Sequence, residues 1–230
     1  MKTLGILGGT SWVSTVEYYR LLNEGVQKSL GGVHSAHLLL ASVEFQEYSD
    51  WMAAGDWASV EQALRAEAAR LGAGGVHAVL IASNTMHVCA EAVQEAAGVP
   101  VLHIADAVGR LIGGRSIRTV GLMGTRYAME KDFYRVRLRE RFGIESLIPP
   151  ETDRVRINRI IFEELCQGKF LDESRRFVLR AAEELIQRGA QAIVLGCTEL
   201  PLIVHDNDLS VPRFDTMAAH VGEGLAFLLG

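Results

Sequence analysis

Residues 191–199 read Gln-Ala-Ile-Val-Leu-Gly-Cys-Thr-Glu, and residues 77–85 read His-Ala-Val-Leu-Ile-Ala-Ser-Asn-Thr. In both stretches a short apolar run leads directly into small and polar residues, and the two stretches are 114 residues apart. Apolar runs that do not alternate with polar residues are typical of parallel strands buried on both faces of a sheet. Segments with helical spacing separate these runs, so the sequence predicts an α/β fold.

The same repeat extends to both sides of these stretches. Residues 3–8, Thr-Leu-Gly-Ile-Leu-Gly, match residues 119–124, Thr-Val-Gly-Leu-Met-Gly, at an offset of 116, and the Val-Pro pair at 99–100 returns at 211–212, at an offset of 112. Three matches in the same order indicate an internal duplication, although unrelated α/β units also share strand-glycine patterns. We expect two pseudo-symmetric, Rossmann-like halves, each a parallel sheet flanked by helices. The first half comprises residues 1–105 with a last helix over 215–230, and the second comprises residues 106–214.

The helix after the first strand carries the clearest start signal. Ser14 and Glu17 have the spacing of a capping box, which predicts that the helix begins there. A stripe of apolar residues at helical spacing follows, formed by Tyr19, Leu22, Val26 and Leu30. Two further amphipathic segments are predicted to end at residues 72–75 and at Gly189, because glycine is favoured just after a helix.

Composition narrows the class of partner. The chain has 230 residues, of which 49% are hydrophobic and 22% are charged, as in soluble globular proteins. The formal net charge is −5 and the pI is about 5.8, which argues against nucleic acid as a partner and favours a small molecule. We find no signal peptide and no run of about 18 apolar residues that could span a membrane. Three widely spaced cysteines, Cys89, Cys166 and Cys197, indicate a reducing compartment, so we expect a cytoplasmic protein.

Chemistry is expected where the parallel strands end, because ligands of α/β folds bind beyond the carboxyl ends of the strands. Four strand-end turns, at residues 8–11, 83–85, 124–126 and 196–198, would present helix N-termini suited to an anion. If the two halves are related by a pseudo-twofold axis, Ser83 and Cys197 approach a ligand from opposite sides. One acid/base group on each face is what inversion of a stereocentre requires.

Cys197 and Ser83 differ in how readily they could act as acid/base groups. A helix N-terminus is expected to lower the pKa of the Cys197 thiol towards neutrality, although a buried packing cysteine is the alternative interpretation. The Ser83 hydroxyl has no comparable route to ionisation and could donate a hydrogen bond or relay a proton.

Other residues could support different chemistry. The first glycine turn is not Gly-x-Gly-x-x-Gly, which argues against dinucleotide binding. His87 and Glu91 share a helical face but lack a third ligand, so no metal site is predicted. Glu199 could orient Thr198, cap its helix or take part in the reaction. The alternating arginines at 135, 137, 139 and 141 are interpreted as a solvated helix face.

Three segments carry a resemblance to a known family. Residues 8–12 (Gly-Gly-Thr-Ser-Trp), 84–87 (Asn-Thr-Met-His) and 196–200 (Gly-Cys-Thr-Glu-Leu) resemble the signature segments of the cofactor-independent aspartate/glutamate racemases. The resemblance spans essentially the whole chain and implies two Rossmann-like halves with the active site between them, no pyridoxal phosphate, no metal, and a homodimer. Most members carry cysteine at both facing positions and some carry threonine at the first, so Cys197 matches and Ser83 departs.

The resemblance also implies roles for individual residues. Cys197 would be the thiol acid/base, and Ser83 would occupy the facing base position. The implied substrate-binding residues are Thr10, Asn84, Thr85, Thr125 and Thr198, with Lys169 nearest to the basic residue that binds the distal carboxylate. We therefore expect an isomerase that racemises aspartate, glutamate or both without a cofactor. The alternatives are a decarboxylase or isomerase of a small dicarboxylate that uses Cys197 alone, and a dicarboxylate-binding protein without catalysis.

Overall fold

A computed structural model describes residues 1–230 and divides them into two compact units. The first unit comprises Met1–His103 and His220–Gly230, and the second comprises Ile104–Ala219.

The first unit contains a four-stranded parallel sheet. Its strands are β1 (Leu4–Gly8), β2 (Leu38–Ser42), β3 (Ala78–Ile81) and β4 (Val101–Leu102), in the order β2-β1-β3-β4. Its helices are α1 (Trp12–Leu30), α2 (Phe45–Ala54), α3 (Trp57–Ala73) and α4 (Ala90–Ala97), with a 3-10 helix over Thr85–Cys89. The two central strands, β1 and β3, are fully buried, which explains their unbroken apolar sequences.

The second unit contains a sheet of the same kind. Its strands are β5 (Thr119–Gly124), β6 (Glu145–Leu147), β7 (Ile193–Gly196) and β8 (Arg213–Asp215), all parallel and in the order β6-β5-β7-β8. Its helices are α5 (Ile104–Gly113), α6 (Arg126–Glu130), α7 (Asp132–Phe142), α8 (Glu151–Glu163) and α9 (Asp172–Gln187), with 3-10 helices over Leu165–Gln167 and Leu200–Leu202. Helix α10 (Thr216–Leu229) begins in this unit and continues into the first. None of these helices combines the length and apolar character needed to cross a lipid bilayer.

The repeat found in the sequence corresponds to two sheets that have the same strand order and the same register. Gly5 pairs with Val79 between β1 and β3, and Gly121 pairs with Ile193 between β5 and β7. The two pairs are separated by the offsets of 116 and 114 residues seen in the sequence. In each Val-Pro pair the proline carbonyl accepts a backbone hydrogen bond of 2.9 Å from the neighbouring central strand. The expected α/β class with two like parallel sheets is confirmed.

The expected start of helix α1 is wrong by three residues, because the N-cap is Ser11 and not Ser14. The helix begins at Trp12, so Ser14 lies buried inside it and the capping box does not form. The hydroxyl of Thr15 instead accepts a hydrogen bond of 2.9 Å from the backbone N–H of Gly9, which ties the helix to the preceding turn. The buried stripe of α1 also leaves out Tyr19 and Leu30, which are exposed. The buried residues of α1 are Ser14, Thr15, Tyr18, Leu22 and Val26.

Helix α10 packs on the first unit through its carboxyl-terminal half. A Cβ at Gly25 would lie 2.3 Å from Cδ1 of Leu225, so the glycine allows the helices to approach closely. The buried ring of His220 donates from Nε2 to the carbonyl of Leu102 at 2.6 Å and accepts at Nδ1 from the hydroxyl of Tyr18 at 3.0 Å. Burial, with His87 nearby, lowers the pKa of His220 to about 3, so this ring stays neutral near neutral pH.

The arginine-rich helix α7 is not simply a solvated face. Asp106 of α5 is buried and accepts hydrogen bonds from Nε and Nη2 of Arg137 at 2.6 and 2.9 Å. Arg141, one turn further along α7, binds the same carboxylate. The sequence interpretation therefore holds for part of α7 only, because two of its four arginines hold α7 against α5.

We expect Asp106→Ala to lower the free energy of unfolding by about 2 kcal/mol, because it leaves two guanidinium groups without their shared carboxylate. Urea denaturation measures the change. The matched control is Asp132→Ala, since Asp132 is exposed and lies 3.7 Å from Arg135; its effect should stay below about 0.5 kcal/mol. Equal effects of the two substitutions would contradict this account of the α5–α7 contact.

Candidate active site

In the first unit, the ends of β1 and β3 bring four of the predicted site residues to one edge of the sheet. Leu7 pairs with Ile81, and the backbone N–H of Ala82 donates to the carbonyl of Leu7 at 2.9 Å. The polar residues follow immediately after this pairing and are all buried. They are Thr10, Ser83, Asn84 and Thr85.

The turn between β1 and α1 is held in an unusual backbone conformation. Gly9 has φ of 98°, and a Cβ there would lie 2.3 Å from the carbonyl oxygen of Val43. Ser11 has φ of 75° and is the one residue other than glycine with a positive φ. Thr10, between them, has a buried hydroxyl with no hydrogen-bond partner. Strained backbone and an unsatisfied buried hydroxyl are features that concentrate at ligand sites, which supports Thr10 as a contact residue.

The turn after β3 is supported by His87, for which the sequence predicted no metal. His87 is buried, and its Nδ1 donates to the carbonyl of Ser83 at 2.7 Å. Its ring centroid lies 4.6 Å from that of His103 and 5.4 Å from that of His220. His87 therefore fixes the backbone at Ser83 from within a packed group of histidine rings.

In the second unit, β5 and β7 end together in the same way. Gly124 pairs with Gly196, and a Cβ on Gly124 would lie 2.5 Å from the carbonyl oxygen of Gly196. Thr125 and Cys197 each follow one of these glycines, so the pairing brings them to the same edge. The hydroxyl of Thr125 accepts from the N–H of Ala128 at 3.2 Å and caps α6. By the repeat offset of 114 residues, Cys197 is the counterpart of Ser83. Ser83 lies two residues after the last paired residue of β3, and Cys197 lies one residue after that of β7.

Cys197 lies beside a carboxylate. Its Sγ donates to Oε2 of Glu199 at 3.0 Å, and the hydroxyl of Thr198 donates to the same oxygen at 2.7 Å. Cys197 is 5% exposed and Glu199 is 6% exposed. The side chain of Glu199 makes no capping hydrogen bond to the following 3-10 helix. Helix capping, one of the three roles that the sequence left open for Glu199, is therefore excluded.

The expected lowering of the Cys197 pKa is wrong. Burial raises the pKa of the thiol well above its ordinary value, and the neighbouring carboxylate of Glu199 raises it further. The reason is local: β7 is followed by the three-residue 3-10 helix Leu200–Leu202, whose dipole is small, and not by a long helix. Of the four strand-end turns, only the one at residues 8–11 leads directly into a long helix, so the predicted anion sites at helix N-termini are not general.

A second thiol lies near Cys197. Cys166 packs against the hydrophobic cluster that contains Cys197, and burial raises its pKa to about 12, with a contribution from Glu199. The sequence did not indicate that Cys166 lies near Cys197, because the two cysteines are 31 positions apart and nothing in the local pattern links them.

Lys169 is the predicted site residue with the weakest structural support. It lies in the exposed segment between the 3-10 helix Leu165–Gln167 and α9, and its Nζ donates to Oε1 of Gln167 at 2.7 Å. Its assignment to the distal carboxylate stays a prediction.

Comparison with known proteins points to one family. The family model described as Asp/Glu/Hydantoin racemase matches residues 7–224. A protein from Yersinia pestis, proposed to be an Asp/Glu racemase, has a crystal structure that is 45% identical, with complete coverage of both chains and a TM-score of 0.93. An aspartate racemase homologue from Pyrococcus horikoshii is 32% identical, again with complete coverage of both, and has a TM-score of 0.84. A broad-specificity amino-acid racemase of Bacillus subtilis is 24% identical over 94% of this chain and 93% of its own.

We expect Cys197 to react slowly with iodoacetamide near about pH 7 and its rate to keep rising beyond about pH 9, because a thiol with a raised pKa stays protonated. Mass spectrometry of the Cys197 peptide measures the rate, in a Cys166→Ser background that removes the neighbouring thiol. A rate that levels off below about pH 8 would contradict the assignment, since it would indicate a thiolate already formed.

Proposed function

Because the chain belongs to the Asp/Glu/hydantoin racemase family, we propose that this amino-acid racemase acts on aspartate, glutamate or both, without a cofactor, through Cys197 and Ser83. One observation carries the proposal: a buried thiol follows a central strand of one sheet, and a hydroxyl occupies the equivalent position in the other.

The proposed reaction is a proton transfer at Cα. In its thiolate form Cys197 takes the α-proton, so the Cα–H bond breaks, an S–H bond forms, and the electron pair is delocalised into the α-carboxylate. A proton delivered to the opposite face of Cα then gives the other enantiomer. We assign that delivery to the Ser83 hydroxyl, directly or through water. Because serine is a far weaker acid than cysteine, the two directions should differ in rate.

Substrate binding is assigned to the polar residues at the strand ends. We propose that Asn84, Thr85 and Thr198 hold the α-carboxylate and the α-ammonium group through side-chain and backbone hydrogen bonds. Thr10 supplies a hydroxyl whose hydrogen-bonding capacity is not otherwise used, and Thr125 follows the strand beside Cys197. Lys169, as an exposed cation, is assigned to the distal carboxylate.

The test is proton NMR of L- and D-aspartate and L- and D-glutamate in deuterium oxide, combined with chiral chromatography. We expect loss of the α-proton signal together with the opposite enantiomer. Cys197→Ala should lower the rate by at least about 10²- to 10⁴-fold, the usual contribution of a positioned acid/base group, and Ser83→Ala should cost less. The matched control is Cys89→Ala, a buried cysteine of the first unit, which should leave the rate near that of the wild type.

Several outcomes would contradict the proposal. Absence of α-proton exchange for all four amino acids would exclude racemisation. Exchange without inversion would show that Cys197 works on one face only. Equal losses for the two site variants would contradict the smaller role given to Ser83 and show that it is a full partner of the thiol. Ser83→Cys should make the rates from the two enantiomers more nearly equal.

We also propose a cytoplasmic homodimer. The three free cysteines suit a reducing compartment. The first two turns of α1 expose Trp12, Val13, Val16 and Tyr19, and Trp12 is 68% exposed. An ordinary dimer interface buries about 800 Å² on each partner, and one Trp or Tyr supplies about 150–250 Å². This apolar face of α1 therefore offers a large share of the surface area that each partner buries in an ordinary dimer interface.

We expect light scattering to give twice the chain mass of 25.2 kDa, and Val16→Glu to shift the protein towards the single-chain mass, because it buries a charge in the proposed interface. Val33→Glu is the matched control, since Val33 is 97% exposed and lies beyond α1. A wild-type chain of single mass would overturn the homodimer, and a Val16→Glu variant that stays dimeric would move the interface elsewhere.

A further inference from the structure

Ser83 is tied to the first unit through both of its backbone polar groups. Its N–H donates to the carbonyl of Ile81 at 2.8 Å, and its carbonyl accepts from Nδ1 of His87 at 2.7 Å. Because a carbonyl oxygen only accepts, Nδ1 of His87 carries the proton of this hydrogen bond. The backbone of Ser83 is therefore fixed on both sides of Cα, and rotation about the Cα–Cβ bond alone sets the place of its hydroxyl oxygen.

The ring of His87 is itself held in place. It is buried, and its centroid lies 4.6 Å from that of His103 and 5.4 Å from that of His220. The ring of His220 is fixed in turn by hydrogen bonds at both of its nitrogens. In a closely packed interior, a shift of the His87 ring away from Ser83 would displace these neighbours. The imidazole is thus a rigid support for the turn after β3.

The second unit has a different residue at the equivalent position. At the repeat offset of 114 residues, His87 corresponds to Pro201, whose side chain has no donor. The carbonyl of Cys197 accepts a longer backbone hydrogen bond, of 3.3 Å, from the N–H of Leu200. The imidazole support therefore accompanies the hydroxyl and not the thiol. A serine hydroxyl is a far weaker acid than a thiol, so proton delivery from Ser83 requires close and well-aligned placement.

We propose that His87 is a positioning residue that directs the Ser83 hydroxyl towards Cα of the bound amino acid by holding the Ser83 carbonyl. Its role is indirect, because it acts through the Ser83 turn. Loss of the hydrogen bond should spare removal of the α-proton by Cys197 and impair delivery of a proton by Ser83. The inference rests on the proposed racemase activity and adds the residue that decides how much of the deprotonated substrate is inverted rather than returned.

The first test measures inversion and recovery with deuterium at Cα in one sample, for each enantiomer of an amino acid that the wild type exchanges in deuterium oxide. The ratio of inversion to exchange does not depend on how much of a variant is folded. The amide nitrogen of asparagine is as many bonds from Cβ as Nδ1 of histidine, and that of glutamine is one bond further. For the enantiomer deprotonated by Cys197, we expect His87→Gln to lower the ratio about 10- to 100-fold and His87→Asn to keep it within about threefold of the wild type.

His77→Gln is the matched control. Nδ1 of His77 also holds a backbone group, since it accepts from the N–H of Thr3 at 3.1 Å, but His77 precedes β3 whereas Ser83 follows it. This variant should leave the ratio unchanged. An unchanged ratio in His87→Gln for both enantiomers overturns the proposal. Equal falls in the two His87 variants also overturn it, because altered packing and not the hydrogen bond would then explain them.

A double substitution tests whether His87 acts through Ser83. Ser83→Ala with His87→Gln should give the same ratio as Ser83→Ala alone, since the group that His87 positions is already absent. A further fall in the double variant would place the action of His87 elsewhere and overturn the inference.

The last test uses the wild-type protein and so does not depend on the folding of a variant. Nitrogen-15 NMR of labelled histidine rings at about pH 8 should show the proton of His87 on Nδ1, the nitrogen that faces the Ser83 carbonyl. A neutral ring protonated only on Nε2 overturns the inference. Exchange of the α-proton by the wild type would leave the proposed function standing in that case, whereas absence of exchange would remove the proposed function itself.

Discussion

The candidate site depends on how closely two parallel strands approach at their carboxyl ends. At the end of β5 and β7, Gly124 leaves no room for a side chain beside the carbonyl of Gly196. At the equivalent place in the first unit a Cβ on Gly8 would lie 2.5 Å from the Thr15 side chain that caps the turn. Parallel pairing makes both strands end at the same edge, and the glycines let the polar turns follow without an intervening layer of side chains. If the strands could not approach this closely, Thr125 and Cys197 would lie farther apart, whatever their roles in the reaction.

Burial, rather than a helix dipole, sets the resting state of the thiol. Cys197 is enclosed in a hydrophobic cluster and faces a carboxylate, so both surroundings favour the neutral S–H form. A resting thiol is protected from alkylation and oxidation, because the thiolate is the reactive species. The same low-dielectric surroundings that suppress the thiolate in the empty site strengthen every electrostatic contact made once a ligand excludes water.

The sequence predicted the features that depend only on residues adjacent along the chain. The central strands β1, β3, β5 and β7 were foreseen because their apolar runs are unbroken. The positions of Ser83 and Cys197 at the strand ends were foreseen because they follow those runs directly. The short strands were missed, since three residues such as 145–147, Glu-Ser-Leu, do not differ from a loop in pattern. The pKa of Cys197 and its nearness to Cys166 could not be predicted, because both depend on packing between segments far apart in the chain. The capping box at Ser14 failed for a related reason: the Thr15 hydroxyl bonds to the turn at Gly9, an interaction that the spacing rule does not include.

Helix α10 makes the first unit discontinuous, and this has a consequence for synthesis on the ribosome. The second unit consists of consecutive residues and has its whole sheet available once β8 has been translated. The first unit lacks its last component, His220–Gly230, until α10 has been made. The ring of His220 and the side chain of Leu225 then fill positions beside Tyr18 and Gly25, which were made about two hundred codons earlier. The amino-terminal half, although made first, is therefore completed last, and the face of α1 that packs against α10 stays uncovered until then.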